Sequence, residues 1–170
     1  MPTLRQNLGD DMPAPLSLED RAAITDRLGR YVWALDSGDP DGVAACFTPD
    51  GVGIDTRGNR YDGPGGIRRF ASTFINLPDF RGRQHQVSHL WFDGDGERCA
   101  VFSYWTVIKW YTEEDRKVVA STGWSRDTLV KTGGQWLIKE RHLGWFSDRH
   151  GPWIGVDATD ENIGIARLEI

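Results

Sequence analysis

Cysteine is scarce in this chain of 170 residues, which contains only Cys46 and Cys99 and no CxxC pair. Disulfide scaffolds and structural zinc sites need more thiols at closer spacing, so neither is expected. We expect two buried thiols in a reducing compartment, which predicts a cytoplasmic protein.

Long hydrophobic runs and an excess of basic residues are also missing. No apolar stretch approaches the ~20 residues that a membrane-spanning helix needs. The opening segment, MPTLRQNLGDDMPAP, lacks the apolar centre of a signal peptide. Lys and Arg number 20 against 25 Asp and Glu, giving a net charge of −5. Nucleic acids and anionic membranes select basic surfaces, so we expect neither as a partner.

Tryptophan, in contrast, is abundant, with eight Trp beside seven Phe and four Tyr. The 39% of hydrophobic and 26% of charged residues are typical of one folded globular domain of this length. Tryptophan is common where one edge of the ring stays polar, in pockets and interfaces. We expect an internal pocket for a small molecule and a homo-oligomer, either a dimer or a trimer.

The first half of the chain has helical spacing. Ser17 precedes an acid three residues later, a capping pattern, and apolar residues then recur at helical intervals up to position 35. Asp39 and Pro40 predict the start of a short second helix. A third helix is expected after 63–66, ending before Pro78. A hairpin over 52–56 and 59–61 is expected between the second and third helices.

The second half has strand patterns, with strands expected at 83–93, 98–112, 117–131 and 135–146. Helices followed by long antiparallel strands predict an α+β fold. We expect a curved antiparallel sheet wrapped around three N-terminal helices, with an apolar pocket inside. The expected organisation is an arm at 1–16, one domain at 17–146, and a tail at 147–170 that caps the pocket or joins a subunit interface.

One acid and one histidine are the first candidates for chemistry. Asp36 continues an apolar ridge of the first helix, so it is either a half-exposed residue at the helix end or a functional buried acid. His85 lies in a strand, where alternation would place it on one face with Val87, His89 and Trp91. His85 and His89 would be ~13 Å apart, too far to share a metal ion, so no metal site is expected. His85 is either a hydrogen-bonded structural histidine or a base tuned by a carboxylate.

Four segments together resemble the SnoaL-like branch of the nuclear-transport-factor-2-like superfamily: RYVWALDSGD (30–39), FTPDG (47–51), QHQVS (84–88) and GQWLIKER (134–141). The resemblance covers about residues 17–146. It implies a cone-shaped sheet around helices with a deep apolar pocket. Most enzymes of this group need no metal or organic cofactor, and its non-catalytic members include assembly subunits.

The resemblance also assigns roles to individual residues. Asp36 and His85 fall on the aspartate–histidine pair of the dehydratase and dehydrochlorinase members, and Tyr31 matches a tyrosine of bile-acid dehydratase. The second histidine of scytalone dehydratase has no match, and Lys109 lies nearest to it. Leu35 stands where that enzyme has a tyrosine directly before the aspartate, which argues against that particular activity.

Together these features predict a cofactor-independent lyase for a hydrophobic, hydroxylated aromatic or polycyclic molecule. Its reaction would be dehydration, or retro-aldol cleavage that releases formaldehyde. His85 would act as the base and Asp36 would orient it, while Tyr31, Lys109 or a Trp indole N–H would stabilise charge on oxygen. The candidate substrate contacts are Trp33, Lys109, Trp105, Trp124 and His89, although core packing is an alternative for the tryptophans and solvation or ion pairing for the lysine.

Two other classes of function stay open. An isomerase, polyketide cyclase or epoxide hydrolase could use the same fold, although no Asp-Arg-Asp triad of an epoxide hydrolase can be placed in the sequence. A non-catalytic ligand-binding or assembly subunit is the second alternative, because a fold does not determine a function.

Overall fold

A computed structural model describes residues 15–145. The expected arm lies almost wholly outside these residues, and so does the expected tail. The elements are α1 (Leu18–Asp36), α2 (Pro40–Ala44), β1 (Phe47–Ile54), β2 (Arg60–Asp62), α3 (Gly63–Ile75), β3 (Arg83–Gly94), β4 (Arg98–Tyr111), β5 (Arg116–Thr132) and β6 (Gln135–Trp145).

Helix α1 begins with the predicted capping pattern. The Ser17 hydroxyl accepts the Asp20 backbone N–H at 3.0 Å and donates to the Asp20 carboxylate at 2.9 Å. The same carboxylate accepts from Lys131 Nζ and Trp136 Nε1, each at 2.8 Å. These donors hold the pKa of Asp20 well below its usual range. The cap therefore also anchors the start of α1 to β5 and β6.

The fold is α+β, with one curved six-stranded sheet in the order β2-β1-β6-β5-β4-β3. The predicted hairpin is confirmed, because Val52 pairs with Asp62 and Ile54 with Arg60. Strands β3 to β6 form the antiparallel series expected from the sequence. Strand β1 pairs in parallel with β6, a connection that the strand pattern did not reveal.

The core lies between the helices and the inner face of the sheet. One stripe of α1 is buried against α2 and α3, and both cysteines are buried and unpaired, as expected. This packing fixes α1 over the sheet, which places the end of the helix beside β3. The apolar residues with no measurable exposure are Ile24, Val43, Ile67, Phe70, Ala71, Cys99, Val101, Leu129 and Ile138.

Helix α3 begins earlier than expected, because residues 63–66 are already helical. Pro64 lies in the first turn, where a missing N–H costs nothing and the fixed φ suits a helix. Gly66 lies so close to β2 that an added Cβ would be 2.9 Å from the carbonyl carbon of Tyr61. The glycines therefore permit a tight turn from β2 directly into the helix.

A β-bulge in β3 reverses the expected alternation. Ser88 pairs with Tyr104, but Trp91 pairs with Phe102, so β3 has one extra residue at this point. His89 is in the left-handed region, with a φ of 54°. His89 and Trp91 therefore face the outer side of the sheet, and the expectation that they share a face with His85 was wrong.

The outer face of the sheet is rich in aromatic side chains. The rings of Trp91 and Phe102 lie 5.2 Å apart, and those of His89 and Tyr104 lie 5.4 Å apart. Trp110 is also partly exposed there. The expected homo-oligomer stays a prediction. Within residues 15–145, no helix combines the length and apolar character needed to cross a membrane.

Candidate active site

A cavity lies between α1, the turn after β1, and the inner faces of β3 to β6. The total non-atom space of the cavity, its open mouth and the adjoining solvent is about 570 Å³. Most of the wall is apolar or aromatic, as in sites for organic ligands. The lining residues are Tyr31, Val32, Leu35, Thr56, Phe74, Arg83, His85, Val87, Trp105, Val107, Ser121, Arg141, Leu143 and Trp145.

The Asp36 carboxylate at the end of α1 meets His85 on β3. Asp36 Oδ1 is 2.5 Å from His85 Nδ1, and Oδ2 accepts the His85 backbone N–H at 2.9 Å. The side chains are only 17% and 15% exposed, respectively. Both carboxylate oxygens are therefore used on one residue, which fixes the position and the rotation of the imidazole ring.

This contact also selects the tautomer of His85. An ionised carboxylate only accepts hydrogen bonds, so Nδ1 of a neutral imidazole carries the proton. Nε2 then has a free lone pair, and no residue in the described range donates to it. Because the ring of His85 lines the cavity, Nε2 can accept a proton from a bound molecule.

Tyr31 lies one and a half turns before Asp36 on α1 and also lines the cavity. Burial raises the pKa of its hydroxyl to about 12, so it stays protonated at neutral pH. Within residues 15–145, the hydroxyl makes no hydrogen bond. It is therefore available as a donor to an oxygen atom in the cavity. The structure brings His85 and Tyr31 into the wall of one cavity and places Asp36 against His85.

A second carboxylate–base pair, missed by the sequence reasoning, joins β5 to β6. Arg141 Nη1 donates to Asp127 Oδ2 at 3.2 Å, and the side chains are 3% and 0% exposed, respectively. The guanidinium carbon lies 4.1 Å from the centre of the Tyr31 ring. Arg141 thus brings a buried cation to the cavity wall.

The Asp127–Arg141 pair is incompletely satisfied. Asp127 Oδ1 and Arg141 Nε are both buried and have no hydrogen-bond partner in the described part of the chain. Ser125 donates to Asp127 Oδ2 at a long 3.3 Å. Burial raises the pKa of Asp127 to about 6, because Arg141 and Ser125 offset only part of the cost of burying its charge.

Arg83 is a further lining residue that the sequence reasoning missed. It lies two positions before His85 on β3 and therefore faces the same side of the sheet. Its Nη2 is 2.7 Å from Asp79 Oδ2, and its side chain is 18% exposed. The alternation from His85 was a sufficient signal to place Arg83 on this face.

Trp105 forms part of the wall, where the sequence predicted a substrate contact. Its Nε1 donates to the Trp124 carbonyl at 2.9 Å, and its ring meets Trp145 edge-on at 5.3 Å. Gly123 lies directly opposite on β5, where any Cβ would collide with the Trp105 ring. The glycine lets the indole lie flat along the wall of the cavity.

Three other predicted substrate contacts lie outside this cavity, which corrects the expectation. Trp33 is on the solvent side of α1 and is 76% exposed, bordering a separate groove. Trp124 faces the outer side of the sheet, where its ring lies over Gly144 because alternation on β5 sends it away from Trp105. His89 is turned to the same side by the bulge in β3.

Lys109 does not line the cavity either. Its ammonium group is buried and donates to the backbone carbonyl oxygens of Asp79 and Arg81. A buried ammonium needs such acceptors because of the cost of its desolvation. Lys109 therefore holds the loop before β3 in place and does not reach the position expected for a substrate contact. The structure assigns it a supporting role at one end of the strand that carries His85.

The fold agrees with the comparison to known families. The family model for the SnoaL-like domain matches residues 16–142. The chain belongs to the SnoaL-like family. No curated protein matches this SnoaL-like chain.

Solved structures show the same fold. A cystatin-like protein of unknown function from Nostoc punctiforme is 23% identical, with a TM-score of 0.69, and the match covers 78% of this chain and 95% of the other. A scytalone dehydratase-like protein from Novosphingobium aromaticivorans is 27% identical, with a TM-score of 0.65 and coverages of 76% and 86%. ActVI-ORFA from Streptomyces coelicolor is 23% identical, with a TM-score of 0.65 and coverages of 74% and 96%.

Proposed function

We propose that this SnoaL-like protein is a cofactor-independent lyase that uses Asp36 and His85 for acid–base catalysis. The observation that carries the proposal is the double contact between the Asp36 carboxylate and His85 in the wall of an apolar cavity. The substrate class that fits these walls is a hydrophobic aromatic or polycyclic molecule with a hydroxyl group. One similar structure, the scytalone dehydratase-like protein from Novosphingobium aromaticivorans, supports the same class of reaction.

In a dehydration, His85 Nε2 would take a proton from the carbon next to the hydroxyl-bearing carbon. The electron pair of that C–H bond forms the C=C double bond, and the C–O bond breaks. The leaving hydroxide takes up the proton that His85 has accepted and departs as water. Asp36 stabilises the imidazolium between the two transfers, and this type of catalysis typically contributes ~10²–10⁴-fold.

In the retro-aldol variant, His85 would instead take the proton of a hydroxymethyl group. The O–H electron pair forms the C=O bond of formaldehyde while the C–C bond breaks. The released electron pair moves onto the remaining molecule, which needs a carbonyl group beside the breaking bond so that an enolate forms. Protonation of the enolate carbon by His85 then gives the product and restores the base. The Tyr31 hydroxyl is the donor best placed to stabilise that oxygen, since it is protonated and lines the same cavity.

The test is turnover of hydroxylated aromatic compounds by wild type, Asp36→Asn and His85→Ala. We expect each variant to lower kcat by about 100-fold or more. His89→Ala is the matched control, because this histidine lies four residues away on the outer face and should leave kcat unchanged. Mass spectrometry detects the loss of water, and trapping with a hydrazine detects formaldehyde.

Near-wild-type turnover in folded Asp36→Asn or His85→Ala would contradict the proposed dyad. Product formation in isotopically labelled water separates the lyase from an isomerase, which returns a proton without losing water. Ligand affinity that survives both substitutions, with no turnover of any compound, would instead favour the non-catalytic binding subunit. The epoxide hydrolase gains no support, because only one aspartate contacts Arg141 within residues 15–145.

A further inference from the structure

The charged groups of the cavity lining are basic, because the carboxylates that pair with its two arginines, Asp79 and Asp127, do not line it themselves. Arg83, Arg141 and His85 line it, whereas no Asp or Glu does so among residues 15–145. This is unusual in a chain whose net charge is −5. A low-dielectric wall with basic groups strengthens the attraction for an anion inside it.

Arg141 is the residue of the cavity wall that is best placed to bind such an anion. The side chain is 97% buried, as its exposure is 3%, and it lies in the cavity wall. Its Nη2 makes no hydrogen bond in the part of the chain that the structure describes and keeps accessible surface, whereas the unpaired Nε is fully buried. An unpaired donor on so deeply buried a side chain is costly, so a ligand oxygen that accepts from Nη2 gains affinity.

Asp127, the carboxylate that pairs with Arg141, neutralises the arginine only weakly. One hydrogen bond of 3.2 Å joins Arg141 to Asp127, in place of the bidentate contact that guanidinium and carboxylate groups form when they are well matched. Burial raises the pKa of Asp127 to about 6, which shows that Arg141 does not fully stabilise its charge. The Tyr31 ring packs against the guanidinium and holds its plane in place.

We propose that Arg141, assisted by the charge of Arg83, forms an anion site that binds an ionised oxygen of the aromatic ligand. This inference rests on the proposed function for the aromatic class of ligand, and it adds the requirement for a phenolate or a carboxylate. Both groups present a charged oxygen to an N–H donor. The anion site would orient one end of the molecule while His85 acts on another part.

The test measures binding in the absence of turnover, by quenching of tryptophan fluorescence. Benzoate and benzamide have similar shapes but differ in charge, and 4-nitrophenol reports its own ionisation by the visible absorbance of its phenolate. We expect benzoate to bind about tenfold more tightly than benzamide, or bound 4-nitrophenol to shift toward the phenolate with a pKa lowered by about one unit. A preference for benzoate alone identifies a carboxylate site, and a shift of 4-nitrophenol alone identifies a phenolate site.

The variants are D127N/R141M, which removes both members of the buried pair, and Arg83→Gln. We expect the double variant to abolish the preference for the anion and Arg83→Gln to reduce it. Arg68→Gln is the control, because Arg68 forms an exposed pair with Asp41 away from the cavity. Equal binding of neutral and anionic probes by wild type, absence of binding by either anion, or a preference that persists in D127N/R141M would overturn the anion site.

The same measurement in His85→Ala separates the two proposals. An anion preference that persists in this variant, together with wild-type protein that turns over no hydroxylated aromatic compound, would overturn the lyase and leave the anion site in place. Turnover that depends on His85, without any preference for an anion, would overturn the anion site alone.

Discussion

Two carboxylate–base pairs contact the same cavity, and they differ in how completely their polar atoms are satisfied. Asp36 uses both oxygens on His85, at 2.5 and 2.9 Å, and the pair is partly exposed. Asp127 is fully buried and makes one 3.2 Å contact with Arg141, leaving one oxygen and one N–H without partners. The first pair is fixed in a single arrangement, whereas the second retains capacity for a further contact.

Because of this difference, the first pair suits catalysis and the second suits ligand binding. A base must keep one tautomer and one orientation through a catalytic cycle, which the double contact of Asp36 ensures. A binding group gains affinity when its unsatisfied donor meets a ligand, as Arg141 Nη2 would. Helix α1 serves both pairs, because Tyr31 packs on Arg141 and Asp36 contacts His85.

The largest effect on stability is expected from removing the buried cation, Arg141. Arg141→Met leaves the Asp127 carboxylate buried without its cation, and we expect a loss of ~3–5 kcal/mol in the free energy of unfolding. The D127N/R141M variant should recover most of this loss. His85→Ala should cost less, because Asp36 is partly exposed and still accepts a backbone N–H. Urea unfolding measures all three.

The exposed Asp41–Arg68 pair is the control for this comparison, and its double-mutant cycle should yield only ~0–1 kcal/mol. If Arg141→Met lowers the free energy of unfolding by less than about 1 kcal/mol, the buried Asp127 carboxylate does not need Arg141 as its counter-ion, contrary to our expectation. A double variant that is no more stable than Arg141→Met would also contradict that expectation.

A smaller effect is expected in the pH dependence of stability. The pKa of Asp127 is raised by burial from 3.8 to about 6 in the folded protein. A raised folded-state pKa means that the folded protein binds the proton more tightly. This stabilising contribution is therefore complete below about pH 4 and is lost as the pH rises through about 6.

Urea unfolding of wild type and Asp127→Asn between pH 4 and 7 tests the direction of this pH dependence of stability. The stability of Asp127→Asn relative to wild type should increase across the window and level off above it. The lowered pKa of Asp20 acts in the opposite direction at acid pH, but it is common to both proteins and cancels in the difference. A flat difference, or one that decreases with pH, would show that Arg141 outweighs the cost of burial.

Much of the fold could be predicted from the sequence because its signals are local. The capping pattern at Ser17, the first-turn proline at position 40 and the turn at 57–58 each act within a few residues, and the structure has all three. Asp36 could be singled out because helical spacing places it on the buried ridge of α1. Its approach to His85, 49 residues away, came from the family resemblance and not from spacing.

The rest of the site depends on two irregularities in the strands. The extra residue near His89 turns that side chain outward, against strict alternation. In β6, Thr128 pairs with Glu140 and Leu129 with Ile138, so Lys139 is bulged out of the pairing. Without this bulge, alternation from Ile138 would turn Arg141 outward. A single inserted residue leaves no local sequence signal, so Arg141 was missed.

The inward position of Asp127 could have been predicted from the sequence. It alternates with Leu129 on β5, so a charged residue was predictable on the inner face of the sheet. Its partner could not be identified, because the bulge in β6 sets which residue faces it. Lys109 alternates with buried Val107 on β4 and is itself buried, but its carbonyl acceptors belong to the irregular loop before β3 and could not be predicted from the strand pattern.

The tautomer of His85 is the most direct test of the central claim, and long-range ¹H–¹⁵N NMR of histidine-labelled protein measures it. His85→Gln assigns the signal by its disappearance. We predict that Nδ1 carries a proton and that Nε2 is unprotonated whenever the ring is neutral, since the Asp36 carboxylate accepts from Nδ1. A ring protonated on Nε2 and bare at Nδ1 would contradict the contact with Asp36 and, with it, the proposed role of His85 as the base.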